Sequence, residues 1–166
     1  MIIVGIDPGL ANTAVTALED GRFILAKTIK TPADGKPQFP EVMARGMSIA
    51  RQVEQAIKPL PIMDVTVAIE GYEDFGGGHL QSRKGKPIPN RWTTPAVCAL
   101  IGMRLEMAGY KVVWQRPSVV MRQYAPYKQQ WEAKRSIVPG DELLTNDHLR
   151  SAGCHALAWS DRRRTA

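Results

Sequence analysis

The chain is poor in cysteine, with only Cys98 and Cys154 in 166 residues, each among apolar or small neighbours. Two such thiols do not make the disulfide framework of a small secreted domain and read as reduced core residues. No apolar run approaches the roughly 20 residues that a membrane-spanning helix needs, and the opening residues carry no basic leader. These absences point to a soluble, cytoplasmic protein of a reducing compartment. There is no internal repeat and no sign of a second domain, so 1–166 is expected to fold as one unit. Hydrophobic residues make up 44% of the chain and charged ones 23%, which is ordinary for a globular protein.

Positive charge is what the chain has in excess. Its 22 Lys and Arg against 16 Asp and Glu leave a formal net charge of +6, which favours a polyanionic partner. Charge alone does not separate that reading from a basic protein with no such partner. The placement of the acids is more informative.

Ile2-Ile3-Val4-Gly5-Ile6 runs into Asp7 and then turns at Pro8-Gly9. A short apolar run of this kind reads as a strand buried on both faces, with the acid at its end facing a cleft. A second such run, Val65-Thr66-Val67-Ala68-Ile69, ends in Glu70. Between them, Asp20-Gly21 marks a hairpin turn between strands over 12–18 and 23–29. An amphipathic helix is expected over 41–58, stopped by Pro59 and Pro61. A second helix starts at Thr94-Pro95 and runs to Gly109, followed by a short strand over 110–114. A short helix begins at Arg116-Pro117-Ser118, 124–140 reads as irregular, and a last helix starts near Thr145 or Asn146. Meander, helix, strand, helix, strand, helices imply an α/β fold. Its sheet is mixed and five-stranded, three antiparallel strands then parallel ones, flanked by helices. The first strand then lies centrally, beside the strand that ends in Glu70.

Two neighbouring carboxylates both ionise at neutral pH only with a cation between them. Oxygen ligands with open positions suit Mg²⁺ or Mn²⁺. A pair of such ions activates water and stabilises the leaving oxygen of a phosphodiester. Further ligands are available where the last helix begins, at Asp147, His148 and Ser151. Asp147 is equally good first-turn chemistry. His155 reads as a core histidine and His79 as an exposed one. Glu73 and Asp74 read as loop decoration near Glu70.

With these residues placed, the sequence resembles the RuvC-type Holliday-junction resolvases of the ribonuclease H-like superfamily. The resemblance rests on Gly5-Ile6-Asp7-Pro8-Gly9, on Ala68-Ile69-Glu70, on Gly102 within its helix and on the Gly-Tyr-Lys-Val-Val strand from Gly109. It is completed by Asp147-His148-Leu149-Arg150-Ser151-Ala152 with His155-Ala156-Leu157-Ala158 beyond, all in family order. The pattern is closer to the compact, divergent resolvases of bacteriophages than to the housekeeping bacterial ones. It implies a homodimer that binds a four-way DNA junction and makes paired nicks with two Mg²⁺ per site, Mn²⁺ being able to substitute. It places the protein in a bacterial cell or a phage-infected host. It also implies that Asp7 bridges the metals, that Glu70 binds one, and that the late helix supplies the rest. The family pair three residues apart in that helix matches His148 and Ser151, and serine is a weak ligand, so Asp147 remains an alternative. In the family an aromatic residue just after the second acid wedges at the junction centre. Tyr72 or Phe75 fits that part, while Arg83, Lys84, Lys86 and Arg91 in the 71–92 loop suit phosphates. Lys111, Lys128 and Lys134 are all candidates to polarise the phosphate. The helix over 94–108, rich in small and apolar residues, is the expected dimer face. Alternatives keep the fold and change the substrate to RNA, hybrid or other branched DNA, or retain junction binding without catalysis.

Overall fold

The computed structural model describes residues 1–32, 38–71, 93–133 and 135–164. Strands β1 (Ile2–Asp7), β2 (Asn12–Glu19) and β3 (Arg22–Lys30) form the antiparallel meander. Helix α1 (Phe39–Ile57) leads to β4 (Val65–Glu70), and α2 (Thr93–Met107) to β5 (Lys111–Gln115). Helices α3 (Pro117–Glu132) and α4 (Asp147–Arg164) complete the chain order, with short 3₁₀ turns at Ile62–Asp64 and Asp141–Leu143. The sheet order is β3-β2-β1-β4-β5, with β4 parallel to both β1 and β5. This is the α/β architecture that the pattern of acids and turns implies. Both residues of the β2–β3 turn, Asp20 and Gly21, have positive φ (47° and 84°), the combination that matches strand twist in a tight hairpin.

Strand alternation sorts side chains between two layers. Ile2, Val4 and Ile6 of β1 join Val65, Val67 and Ile69 of β4 in a core beneath α1 and α2. Ile3 of β1, Ala68 of β4 and partly buried Val113 of β5 turn the other way, into a core with α3 and α4. Asp7, Glu70 and Gln115 continue that second set by period two. All three therefore stand on the α4 face of the sheet, at the carboxyl ends of β1, β4 and β5.

The α4 face is built for close approach. A Cβ on Gly5 would lie 2.0 Å from the Ala152 carbonyl oxygen and 2.9 Å from the Ala156 amide nitrogen. Small residues on both partners thus let the α4 backbone lie directly on β1. On the opposite face Gly102 of α2 does the same for the Trp114 ring, whose atoms would fall 2.4 Å from a Cβ there.

One expectation fails. The segment after Ser118 is not a short helix followed by irregular chain, since α3 continues to Glu132 through Pro126. An internal proline costs about 3 kcal/mol in a helix. Tyr124 and Trp131 are buried there, and Tyr124, Tyr127 and Trp131 stack in sequence with centroids 4.8 and 6.2 Å apart. Burying such rings recovers several kcal/mol. The tether from the Tyr124 hydroxyl to Asp161 of α4, at 2.5 Å, adds to this. The following turn is gathered by Asp141, whose carboxylate accepts hydrogen bonds from Trp131 Nε1, Ser136 Oγ and the Ile137 and Val138 amides. Those donors hold its carboxyl below the usual range against the opposing effect of burial.

Gly5→Ala should lower stability by about 1–3 kcal/mol, the usual cost of overpacking, read as a lower urea midpoint with an unchanged slope.

Candidate active site

The residues after Asp7 are fixed locally. The Gly9 amide donates to Thr13 Oγ1 at 3.2 Å, and that hydroxyl donates back to the Gly9 carbonyl at 2.8 Å. A Cβ on Gly9 would meet the Asn12 carbonyl at 2.5 Å. The Pro8-Gly9 turn is therefore tight, and Asp7 is held at the strand end, half-buried.

Ile6 pairs with Ile69 in the parallel β1–β4 ladder, so Asp7 and Glu70 emerge side by side. Their carboxyls are close enough for each to bear on the other's ionisation. Burial first, and then the neighbouring Asp7 carboxyl and its charge, push Glu70 up to about 8. At neutral pH the ion-free pair consequently keeps a proton between its carboxyls, which is how like charges are accommodated without a cation.

The start of α4 supplies the facing wall. Asn146 caps the helix, its Oδ1 accepting from the Leu149 amide at 3.0 Å, while its Nδ2 donates to Thr28 Oγ1 on β3 at 3.2 Å. One residue into the first turn, His148 places Nδ1 3.0 Å from Asp7 Oδ2. Asp147 has its side chain 80% exposed and 3.5 Å from the Arg150 guanidinium. A cleft of about 230 Å³ opens here, lined by Asp7, Asp147, His148 and Ser151 together with Lys128 and Trp131 of α3. Arg150, Tyr124 and Cys154 complete its wall. Cys154 and Cys98 are both pushed up to about 12, chiefly by burial, so both remain thiols.

The structure therefore puts His148 in direct contact with Asp7, stands Glu70 beside Asp7 on the neighbouring strand, and puts Ser151 and Asp147 on the same cleft as Asp7. Of the three candidate lysines it brings Lys128 into that cleft, whereas Lys111 stands at the opposite end of the sheet, beside Met1 and Asp64. Lys134 lies outside the described residues. So do Tyr72, Phe75, Arg83, Lys84, Lys86 and Arg91, along with Glu73, Asp74 and His79.

His155 is a core histidine, as its depth in the helix suggests. It is 2% exposed, its Nδ1 is 2.8 Å from Gln115 Oε1, and burial lowers it to about 4, leaving the ring neutral. Gln115 itself escapes sequence reasoning because the strand over 110–114 stops one residue short of it. Continuing period two from Val113 would have put it on the face of Asp7.

Against solved structures, the chain aligns with T. thermophilus RuvC in complex with a Holliday junction substrate. The alignment covers 100% of this chain and 96% of that one, with a TM-score of 0.68 and 17% sequence identity. The fold is that of RuvC. A second Thermus thermophilus RuvC structure agrees, with a TM-score of 0.66 and 17% identity over 99% of this chain and 96% of that one. No protein-family model matches the chain, and no curated protein does. The RuvC likeness is one of backbone: a mixed five-stranded sheet between helices, ribonuclease H-like in kind. Among the described residues no helix is long and apolar enough to cross a membrane.

As hard oxygen and imidazole donors, Asp7, Glu70 and His148 fit a divalent cation of the Mg²⁺ or Mn²⁺ type. Among the described residues no three His, Cys, Asp or Glu side chains converge on one ion position as they stand. Asp7 instead bonds to His148, with Glu70 on the neighbouring strand.

The pH dependence follows from that pair. Glu70 binds its proton more tightly folded than unfolded, so ion-free stability should fall as pH rises from about 4.5 to about 8 and level off beyond. Urea midpoints in EDTA across that window should show the decline, and Glu70→Gln should flatten it.

Proposed function

We propose that this chain is a divalent-cation-dependent endonuclease that resolves four-way DNA junctions by paired nicks. The observation that carries the reading is the placement of Asp7 beside Glu70 and against His148 at the carboxyl end of the central strands. The RuvC backbone supports it, because a RuvC structure of this fold holds a Holliday junction substrate. So does the net charge of +6, which draws polyanions and makes binding salt-dependent.

Asp7, Glu70 and His148 would hold Mg²⁺ or Mn²⁺, with Ser151 and Asp147 the nearest further oxygens on the cleft. Bound there, such ions neutralise phosphate charge and lower the cost of ionising water. The chain's own groups do the positioning. Lys128 on α3 lines the same cleft as Asp7 and would hold a phosphate oxygen, with Arg150 beside it on the wall. Trp131, 5% exposed, gives that wall a rigid backing. The reaction is hydrolysis: a water oxygen bonds to phosphorus, the bond to the 3′-oxygen breaks, and the ends are a 5′-phosphate and a 3′-hydroxyl. Tyr72 or Phe75 would wedge at the junction centre, and Arg83, Lys84, Lys86 and Arg91 would contact phosphates.

Two nicks on opposed strands need two sites, hence a homodimer. Helix α2 suits its interface. Val97, Ile101 and Leu105 enter the core, yet Met103 and Met107 remain 58% and 86% exposed. Met107→Glu should give a monomer by sedimentation while leaving the fold intact.

The deciding experiment incubates labelled immobile junction and matched duplex with Mg²⁺ or Mn²⁺. Paired nicks in the junction alone, abolished by Asp7→Asn, are expected. Junction binding without cutting, with cleavage restored by Ser151→Asp, would favour a non-catalytic junction binder. No preference for the junction would redirect attention to RNA, hybrid or other branched substrates.

A further inference from the structure

Gln115 is 1% exposed, yet its Nε2 has no hydrogen-bond partner. A buried amide donor left unpaired costs about 1–3 kcal/mol, and such a group in a folded protein calls for an explanation. Its other atom is well placed. With His155 neutral, Nδ1–H donates to Gln115 Oε1 over 2.8 Å. That bond sets which way round the amide sits and leaves Nε2 on the side away from His155.

Glu70 is Gln115's direct partner in the parallel β4–β5 ladder, and the two side chains stand on the same face of the sheet. On Glu70's other side is Asp7, and beyond Asp7 is His148. The order across three strands is thus Gln115, Glu70, Asp7. His155 and His148 close the two ends from α4, seven residues or two turns apart on that helix. The backbone supports the junction of β4 and β5 as well, since the Gly71 amide donates to the Gln115 carbonyl at 2.7 Å.

We propose that Gln115, oriented by His155, is a positioning residue for Glu70. Gln115 Nε2, buried with no other partner, would turn to donate to the Glu70 carboxylate and fix which oxygen faces the cation. The assignment rests on the nuclease reading for its consequence, but not for the contact itself. Such outer hydrogen bonds typically change metal affinity or activity by about 10–100-fold. Gln115→Leu removes both polar atoms at similar volume, and Gln115→Glu keeps the acceptor for His155 but removes the donor. His155→Phe leaves the amide free to turn over.

The test has two arms. In the first, Mn²⁺ binding is followed by loss of the free-ion EPR signal, and junction cleavage is titrated with Mg²⁺. Gln115→Leu and Gln115→Glu should each bind Mn²⁺ at least about tenfold more weakly and need correspondingly more Mg²⁺, with junction affinity in EDTA unchanged. In the second, the Gln115 side-chain amide resonances of the ion-free protein are compared with those of Glu70→Ala. They should move upfield when the carboxylate acceptor is removed. Wild-type Mn²⁺ affinity in a folded Gln115→Leu protein would overturn the positioning role. An amide signal indifferent to Glu70→Ala would overturn the contact. A wild-type protein that neither binds Mn²⁺ nor cuts, with the amide shift intact, would overturn the nuclease reading while supporting the Gln115–Glu70 contact.

Discussion

The contact between Gly5 and the backbone of α4 is the constraint on which the site depends. With no Cβ at position 5, the Ala152 carbonyl and Ala156 amide rest on the central strand itself. That proximity sets the height of the helix over the sheet. His148 lies one turn before Ala152, and Asp7 lies two residues beyond Gly5 on the same face. A thicker residue in the layer would lift the helix and open the gap that the 3.0 Å contact closes. Stability and chemistry are therefore linked through a single missing methyl group.

The two faces of the sheet divide the labour. Beneath α1 and α2 the core is continuous and aliphatic, from Ile2 and Val4 through Val67 and Ile69 to Ile101 and Leu105. The α4 face packs Ile3 and Leu18 toward the amino end of β1 and has polar groups at the carboxyl ends of the parallel strands, where Tyr124 and Trp131 also line the cleft. Burial there is what raises Glu70 and lowers His155. One low-polarity environment keeps a proton on an acid and off a base. Like charges so placed ionise together more readily when opposite charge arrives.

Much of this was legible in the sequence. Period-two patterning and the Asp20-Gly21 turn carry the meander, and two apolar runs that end in acids carry β1, β4 and the meeting of Asp7 with Glu70. The depth of His155 in its helix identified it as core. What could not be read had physical reasons. Pro126 and a polar composition masked α3, because its stability comes from three stacked rings and the Asp161 tether and not from local propensity. Trp114 and Gln115 ended a strand whose last residue announces itself only through pairing with Glu70. Among His148, Asp147 and Ser151, all on one first turn and a half, helix phase relative to the sheet decides which reaches Asp7. That phase is a tertiary property.

The bond between His148 and Asp7 joins residues 141 positions apart. During synthesis the strand that ends in Asp7 emerges first and α4 emerges last. The meander, β4 and β5 can pair while the chain is still short of α4, but the cleft has no wall until that helix docks on Gly5. A nascent chain thus carries its acids without a finished cleft until the last helix is free to fold.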